Sequence, residues 1–279
     1  MKRQAIEKLY EWKNSAGRKP LIIRGARQVG KTWLMKEFGR LAFKNIVYIN
    51  FDSNSDIAQL FAGSLDIPRL ISGLEIFSRS KIAPQETLLI FDEVQEAPRA
   101  LTSLKYFCEE APEYAIVAAG SLLGVAMHQG TSFPVGKVNF LDLYPMSFTE
   151  FLNATGNEQL TELLQKGDWQ LITGLKDRFI DLLRLYYYIG GMPEAVQCYL
   201  DEKDVFKVRE VQKRILDAYE QDFSKHAPAN VVARIRMVWQ SIPSQLAKEN
   251  RNFVYGSLRK GARAKDFELA IQWLKDCGL

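Results

Sequence analysis

Three groups of residues have the types and spacing to do chemistry. The first is Gly25-Ala26-Arg27-Gln28-Val29-Gly30-Lys31-Thr32, two glycines with four residues between them, then a lysine and a hydroxyl. Glycines at both ends of such a loop allow backbone angles that turn successive N–H groups toward one anion. Lys31 is then placed as a point charge for the outer phosphates of a nucleoside triphosphate, and the Thr32 hydroxyl as a ligand for Mg²⁺. The second group is Asp92-Glu93, roughly 60 residues further on, at the end of the apolar run Leu88-Leu89-Ile90-Phe91. In that position Asp92 would hold the hydration shell of the metal, and Glu93 would act as general base on an attacking water. The third is Ser121, at the tip of the apolar run that starts at Tyr114. It either hydrogen-bonds the attacking water or simply caps a strand and begins a helix.

Each group needs an element to hold it. Leu21-Ile22-Ile23 reads as a buried strand, and Trp33-Leu34-Met35-Lys36-Glu37-Phe38 has helical spacing, so the glycine loop joins a strand to a helix N-terminus. Asn45 to Asp52, Thr87 to Phe91, Tyr114 to Ala119 and Lys137 to Leu143 read as further strands. A strand inserted between the two motif strands would bring Ser121 toward Glu93. Residues 3–13 and Pro98 to Glu110 read as helices, and Ser147-Phe148-Thr149-Glu150 has the spacing of a capping box. From about residue 156 only helical patterns follow, among them Leu171 to Ile189 as one long helix, Val205 to Phe223 and Val231 to Ala247. The expected division is therefore an α/β core over 1–155, a helical lid and linker over 156–247, and a helix–basic loop–helix start of a winged-helix-like module over 248–279. The chain stops soon after the last helix, so that module is expected to be incomplete.

Hydrophobic residues (47%) and charged ones (25%) have ordinary globular values, which excludes a disordered chain. The net charge of +4 permits contact with nucleic acid without demanding it. Charges are interleaved through Met1 to Tyr10, unlike a secretion signal, and the uncharged stretch Tyr114 to Met127 is too short for a spanning helix. Cys108, Cys198 and Cys277 lie far apart and only His128 and His226 accompany them, so neither a zinc site nor a disulfide framework is indicated. These features point to a cytoplasmic protein with reduced thiols and no membrane partner.

With these residues in view, the chain resembles bacterial and archaeal P-loop ATPases of the AAA+ superfamily, in the branch near the signalling (STAND-like) ATPases whose C-terminal domain is uncharacterised. The resemblance rests on Gly-Ala-Arg-Gln-Val-Gly-Lys-Thr (25–32), Ile-Phe-Asp-Glu-Val-Gln (90–95), Ala-Gly-Ser-Leu (119–122), Leu-Tyr-Pro-Met-Ser-Phe-Thr-Glu-Phe (143–151) and Gly-Gly-Met-Pro-Glu-Ala (190–195). It implies a five-stranded parallel sheet ordered 5-1-4-3-2 beneath a helical lid, with a C-terminal domain that continues past this endpoint. It also implies that ATP or ADP is held by Gly25 to Trp33 and that Pro193 packs against adenine. Read without the resemblance, Gly190-Gly191-Met192-Pro193 is a helix C-cap followed by a proline helix start. The family pattern departs at Gly136-Lys137, where many members carry Gly-Arg near the position of an arginine finger. Lysine supplies charge there but no bidentate hydrogen bonds, so an oligomer built around a finger is not indicated.

The expected function is a Mg²⁺-dependent ATP-binding protein, an ATPase in which Lys31, Ser121 and Glu93 serve the reaction while Thr32 and Asp92 serve the metal. The alternative is an ATP-switched regulator with slow hydrolysis that binds double-stranded DNA through Arg251, Arg259, Lys260, Arg263 and Lys265, which the plainer reading makes a solvated basic loop. A small-molecule kinase would use the same loop, but an Asp-Glu pair suits water better than an acceptor hydroxyl.

Overall fold

The computed structural model describes residues 1–120, 123, 133–248 and 252–279. Five apolar segments too short for helices become strands: β1 (Leu21–Arg24), β2 (Asn45–Asn50), β3 (Thr87–Asp92), β4 (Ala115–Ala119) and β5 (Asn139–Asp142). All pair in parallel, in the order β2-β3-β4-β1-β5, which is the expected 5-1-4-3-2 read from the other edge. β3 and β4 are buried along their whole length, as their unbroken apolar sequences require of central parallel strands. The edge strand β5 is shorter than its pattern suggested and mostly exposed.

Parallel strands need crossovers, and helices supply them: α1 (Ala5–Asn14) precedes β1, α2 (Lys31–Ala42) links β1 to β2, α3 (Ser55–Ala62) and α4 (Ile67–Ser78) lie between β2 and β3, and α5 (Pro98–Glu110) leads to β4. The apolar faces of α3, α4 and α5 share a core with β1 to β4, in which Phe51, Phe61 and Phe91 meet edge to face with ring centroids 5.6–5.7 Å apart. Register places β4 between the two chemistry-bearing strands. Ile23 of β1 is level with Ala119, and Phe91 of β3 is level with Ala118. The glycine loop and Asp92-Glu93 therefore leave the same sheet edge on either side of the β4 tip.

Helices follow β5: α6 (Phe148–Ala154), α7 (Glu158–Lys166), α8 (Trp169–Gly174), α9 (Lys176–Ile189) and α10 (Pro193–Glu202). The Ser147–Glu150 capping box is present in full at the start of α6. The single helix expected over Leu171 to Ile189 is broken, however. Gly174 ends α8 and Leu175 leaves helical geometry (φ −105°, ψ 16°) before α9 begins. Glycine is a poor helix former, and the break lets Ile172 and Leu175 both pack onto the cluster around Leu152, Leu160 and Phe179.

The chain forms two compact units, Met1–Val211 and Gln212–Leu279. α11 (Val205–His226), α12 (Ala229–Leu246) and α13 (Ala264–Asp276) complete it. Within the second unit the Phe223 ring contacts Trp239 and Trp273 at 5.5 and 5.6 Å. Among the described residues no helix is long and apolar enough to cross a membrane.

Candidate nucleotide-binding site

The loop between β1 and α2 is built on unusual backbone angles. Gly25 has φ +148°, and a β-carbon there would collide with the Leu143 carbonyl, so only glycine fits. Gly30 stands in the left-handed region (φ 93°, ψ 26°) as the cap of α2, and Gln28 shares that region at φ 64°. Lys31, the first residue of α2, is 7% exposed. Its ammonium donates to the carbonyls of Gly25 and Ala26 at 2.7 and 2.8 Å, folded back over the loop.

Burial pushes the Lys31 ammonium down to about 8. Glu93 and Asp92 pull the other way, and Arg27 adds to the lowering. Phosphate groups in the loop would restore the charged form. Binding of a nucleotide at pH above about 8 is therefore expected to take up a proton, and affinity is expected to weaken as pH rises through that value. Calorimetric titration in buffers of different ionisation enthalpy measures this. Proton release, or an affinity flat across that range, would contradict the assignment of Lys31 to the phosphates.

The carboxylate pair faces this loop. Asp92 is 3% exposed, and its Oδ2 accepts from the Thr32 hydroxyl at 2.7 Å and from the Tyr48 hydroxyl at 2.9 Å. Its Oδ1 accepts from the Glu93 amide at 3.1 Å. The two residues expected to serve a metal are thus in direct contact, through hard oxygen donors of the kind Mg²⁺ takes. Among the described residues there is no group of three or more His, Cys, Asp or Glu that could hold a metal by itself. Glu93 sits at a left-handed backbone position (φ 50°, ψ 44°), and its Oε2 accepts from Gln95 Nε2 at 2.7 Å.

Tyr48 escaped the sequence reading. It lies on β2, the Lys36 ammonium stands 3.7 Å from its ring centroid, and burial followed by the Asp92 charge pushes its phenol up to about 12. The available signal was its place two residues from the end of a strand that turns out to neighbour β3.

On the other side of the loop is a cavity of about 260 Å³ lined by Arg3, Gly30, Trp33, Met146, Pro193 and Gln197. Pro193, the first residue of α10, lies beside Gly30, its Cγ 3.6 Å from where a β-carbon would stand there. The preceding turn is clasped to the core. Met146 N donates to Gly191 O at 2.6 Å, the Tyr186 hydroxyl donates to Met146 O at 2.7 Å, and a side chain at 191 would strike Met146. Tyr186 thus packs between helix and core, whereas Tyr187 and Tyr188 are exposed.

Arg3 also went unread. It is 4% exposed and donates to Val29 O in the loop at 2.8 Å, to Tyr144 O at 2.6 Å and to Glu150 at 3.0 Å. A buried pair of this kind is costly to break from one side, because the remaining charge is left without water or partner. It ties the start of the chain to the glycine loop.

Lys137 is paired with Glu109 at 2.9 Å, below the start of β5 and at the end of the sheet away from the loop. Ser121 and Arg251 lie outside the described residues.

A family model described as an AAA domain matches residues 17–152. These residues are an AAA+ P-loop domain. A second model, for a domain of unknown function (DUF8612), matches residues 180–279. Among solved structures the chain is similar to the ORC2 protein of Aeropyrum pernix in ADPNP–ADP complexes. Identity is 14%, coverage is 99% of this chain and 85% of that one, and the TM-score is 0.50. It also matches AMPPCP-bound DnaA from Aquifex aeolicus (14% identity, 98% and 88% coverage, TM-score 0.44). Cdc6p from Pyrobaculum aerophilum matches over 55% of this chain at 16% identity and a TM-score of 0.35, and the chain spans about half the length of that protein (48%). Of these, the likeness to the ORC2 protein speaks for the fold alone. No curated protein sequence matches the chain.

Proposed function

We propose that the AAA+ domain binds Mg²⁺-ATP and hydrolyses it, with the core to about residue 155 closing against the helices that follow as its lid. The single observation that supports this best is the 2.7 Å contact between Thr32 and Asp92, made across the sheet edge beside the buried Lys31 ammonium. Main-chain N–H groups of Gly25 to Gly30 and the Lys31 charge hold the phosphates. Thr32 and Asp92 would hold Mg²⁺, which would supply charge stabilisation to the transferring phosphoryl group. Glu93 takes a proton from the attacking water as its oxygen bonds to phosphorus and the bridging oxygen leaves on ADP. Pro193, Trp33 and Met146 give the adenine an apolar seat, and the clasp at Gly191 carries the state of that seat into α9 and α10. The test is steady-state ATP hydrolysis by the wild type beside Glu93→Gln, in which turnover is expected to fall while ATP binding persists.

A second reading, an ATP-switched regulator that binds duplex DNA, draws on how charge is distributed. Of 37 Lys and Arg and 33 Asp and Glu, residues 212–279 hold twelve and seven, a surplus of +5, while residues 1–211 are left at −1. Arg259, Lys260, Arg263 and Lys265 are all exposed, and Arg259 stands 3.8 Å from Asp266. Binding to duplex DNA is expected to weaken steeply with salt and to be lost when the four are replaced by glutamine. Salt-insensitive binding, or binding that survives the replacement, would leave this segment an ordinary solvated surface.

A further inference from the structure

We infer that Gln95 is a positioning residue for Glu93: its side-chain amide links the carboxylate to a slot at the tip of β4 and so sets the direction of the general base. The inference rests on the hydrolysis reading above and concerns a residue with no part in binding phosphate or metal.

Glu93 is poorly placed to orient itself. Its backbone is in the left-handed region, its side chain has three rotatable bonds, and the chain turns away immediately after it in a single 3-10 turn, Val94–Glu96. That turn brings Gln95 back toward the strand end. Gln95 Nε2 donates to Glu93 Oε2 at 2.7 Å, a charge-assisted hydrogen bond from a rigid planar group.

The other end of the amide is equally specific. Gln95 Oε1 is buried without a hydrogen-bond partner among the described residues. It occupies the space that a side chain on Gly120 would need: a β-carbon built there overlaps Oε1 and falls 3.1 Å from Cδ. Gly120 has no left-handed φ, so glycine is required there for room and not for backbone freedom. Glutamine at 95 and glycine at 120 therefore fit each other across the end of the sheet. The tip they share stands between β1 and β3, the strands that carry the phosphate loop and the base.

An unsatisfied buried carbonyl is a poor way to stabilise a fold, and an apolar side chain of the same shape would serve stability better. Its presence beside a general base is explained by what the amide nitrogen does. A merely structural role and a positioning role thus predict opposite outcomes for an isosteric apolar replacement.

The experiment uses the full chain with ATP and Mg²⁺ and compares wild type, Glu93→Gln, Gln95→Met, Gly120→Ala and the Gln95→Met/Gly120→Ala pair. Expected for Gln95→Met is a kcat lower by roughly tenfold or more, nucleotide affinity unchanged, and a melting temperature equal to or above wild type. Gly120→Ala, which pushes the amide aside, should show the same loss of kcat, and the pair should lose no more than either single change. Gln95→Leu provides a second apolar replacement should Gln95→Met fold poorly. A wild-type or raised kcat in a folded Gln95 variant, with Glu93→Gln inactive, overturns this inference alone. So does a fall in kcat accompanied by proportionate losses of affinity and melting temperature. Absent turnover in the wild type, or turnover undiminished in Glu93→Gln, overturns the hydrolysis reading and this inference with it.

Discussion

Glu93→Gln is expected to bind ATP at near wild-type affinity and to hydrolyse it about 10²–10⁴-fold more slowly, the usual contribution of a positioned general base. The change keeps size and shape and removes only the capacity to accept a proton. Nothing at the phosphate loop is altered, since Lys31 keeps its bonds to Gly25 and Ala26 and Thr32 keeps its bond to Asp92. The effect should therefore fall on kcat, with binding of a fluorescent nucleotide untouched. Turnover of the variant at the wild-type rate would remove Glu93 from the reaction, whatever the role of the loop.

Lys31→Ala is expected to lose nucleotide affinity by about 2–5 kcal/mol, the cost of truncating one member of a buried charge pair. That corresponds to roughly 30-fold to several thousand-fold in Kd. The ammonium is already desolvated before anything binds, so little of its attraction for phosphate is spent on shedding water. In the free protein the same substitution leaves the Gly25 and Ala26 carbonyls without their donor. A lower melting temperature is expected alongside the lost binding, and addition of ATP should not raise it. Thermal stabilisation by ATP equal to that of the wild type would show that the phosphates are gripped elsewhere.

Much of the site could be read before any coordinates because its signals are local. Gly25 and Gly30 mark left-handed or crowded backbone by residue type alone, and the runs before them and after them carry their own periodicity. Asp92-Glu93 is legible as the end of a strand that must be buried on both faces. The order of the strands was not legible in this way and came from the resemblance, because parallel pairing between distant segments leaves no periodic trace. The broken helix near Gly174 was missed because the apolar spacing runs on through it, and only packing against Leu152 and Phe179 favours the break.

What the amino-acid sequence determined by itself is the phosphate loop, the two carboxylates and the strands and helices that carry them, since each depends on neighbours within a few residues. Only the tertiary structure decided which side chains stand behind them. Tyr48 reaches Asp92 across 44 residues, Arg3 reaches Glu150 across 147, and Gln95 fits beneath Gly120. Such contacts have no spacing rule. Those of Tyr48 and Gln95 exist because the sheet sets β3 between β2 and β4, and a strand's neighbours are chosen by the burial of whole faces and not by any residue in the strand.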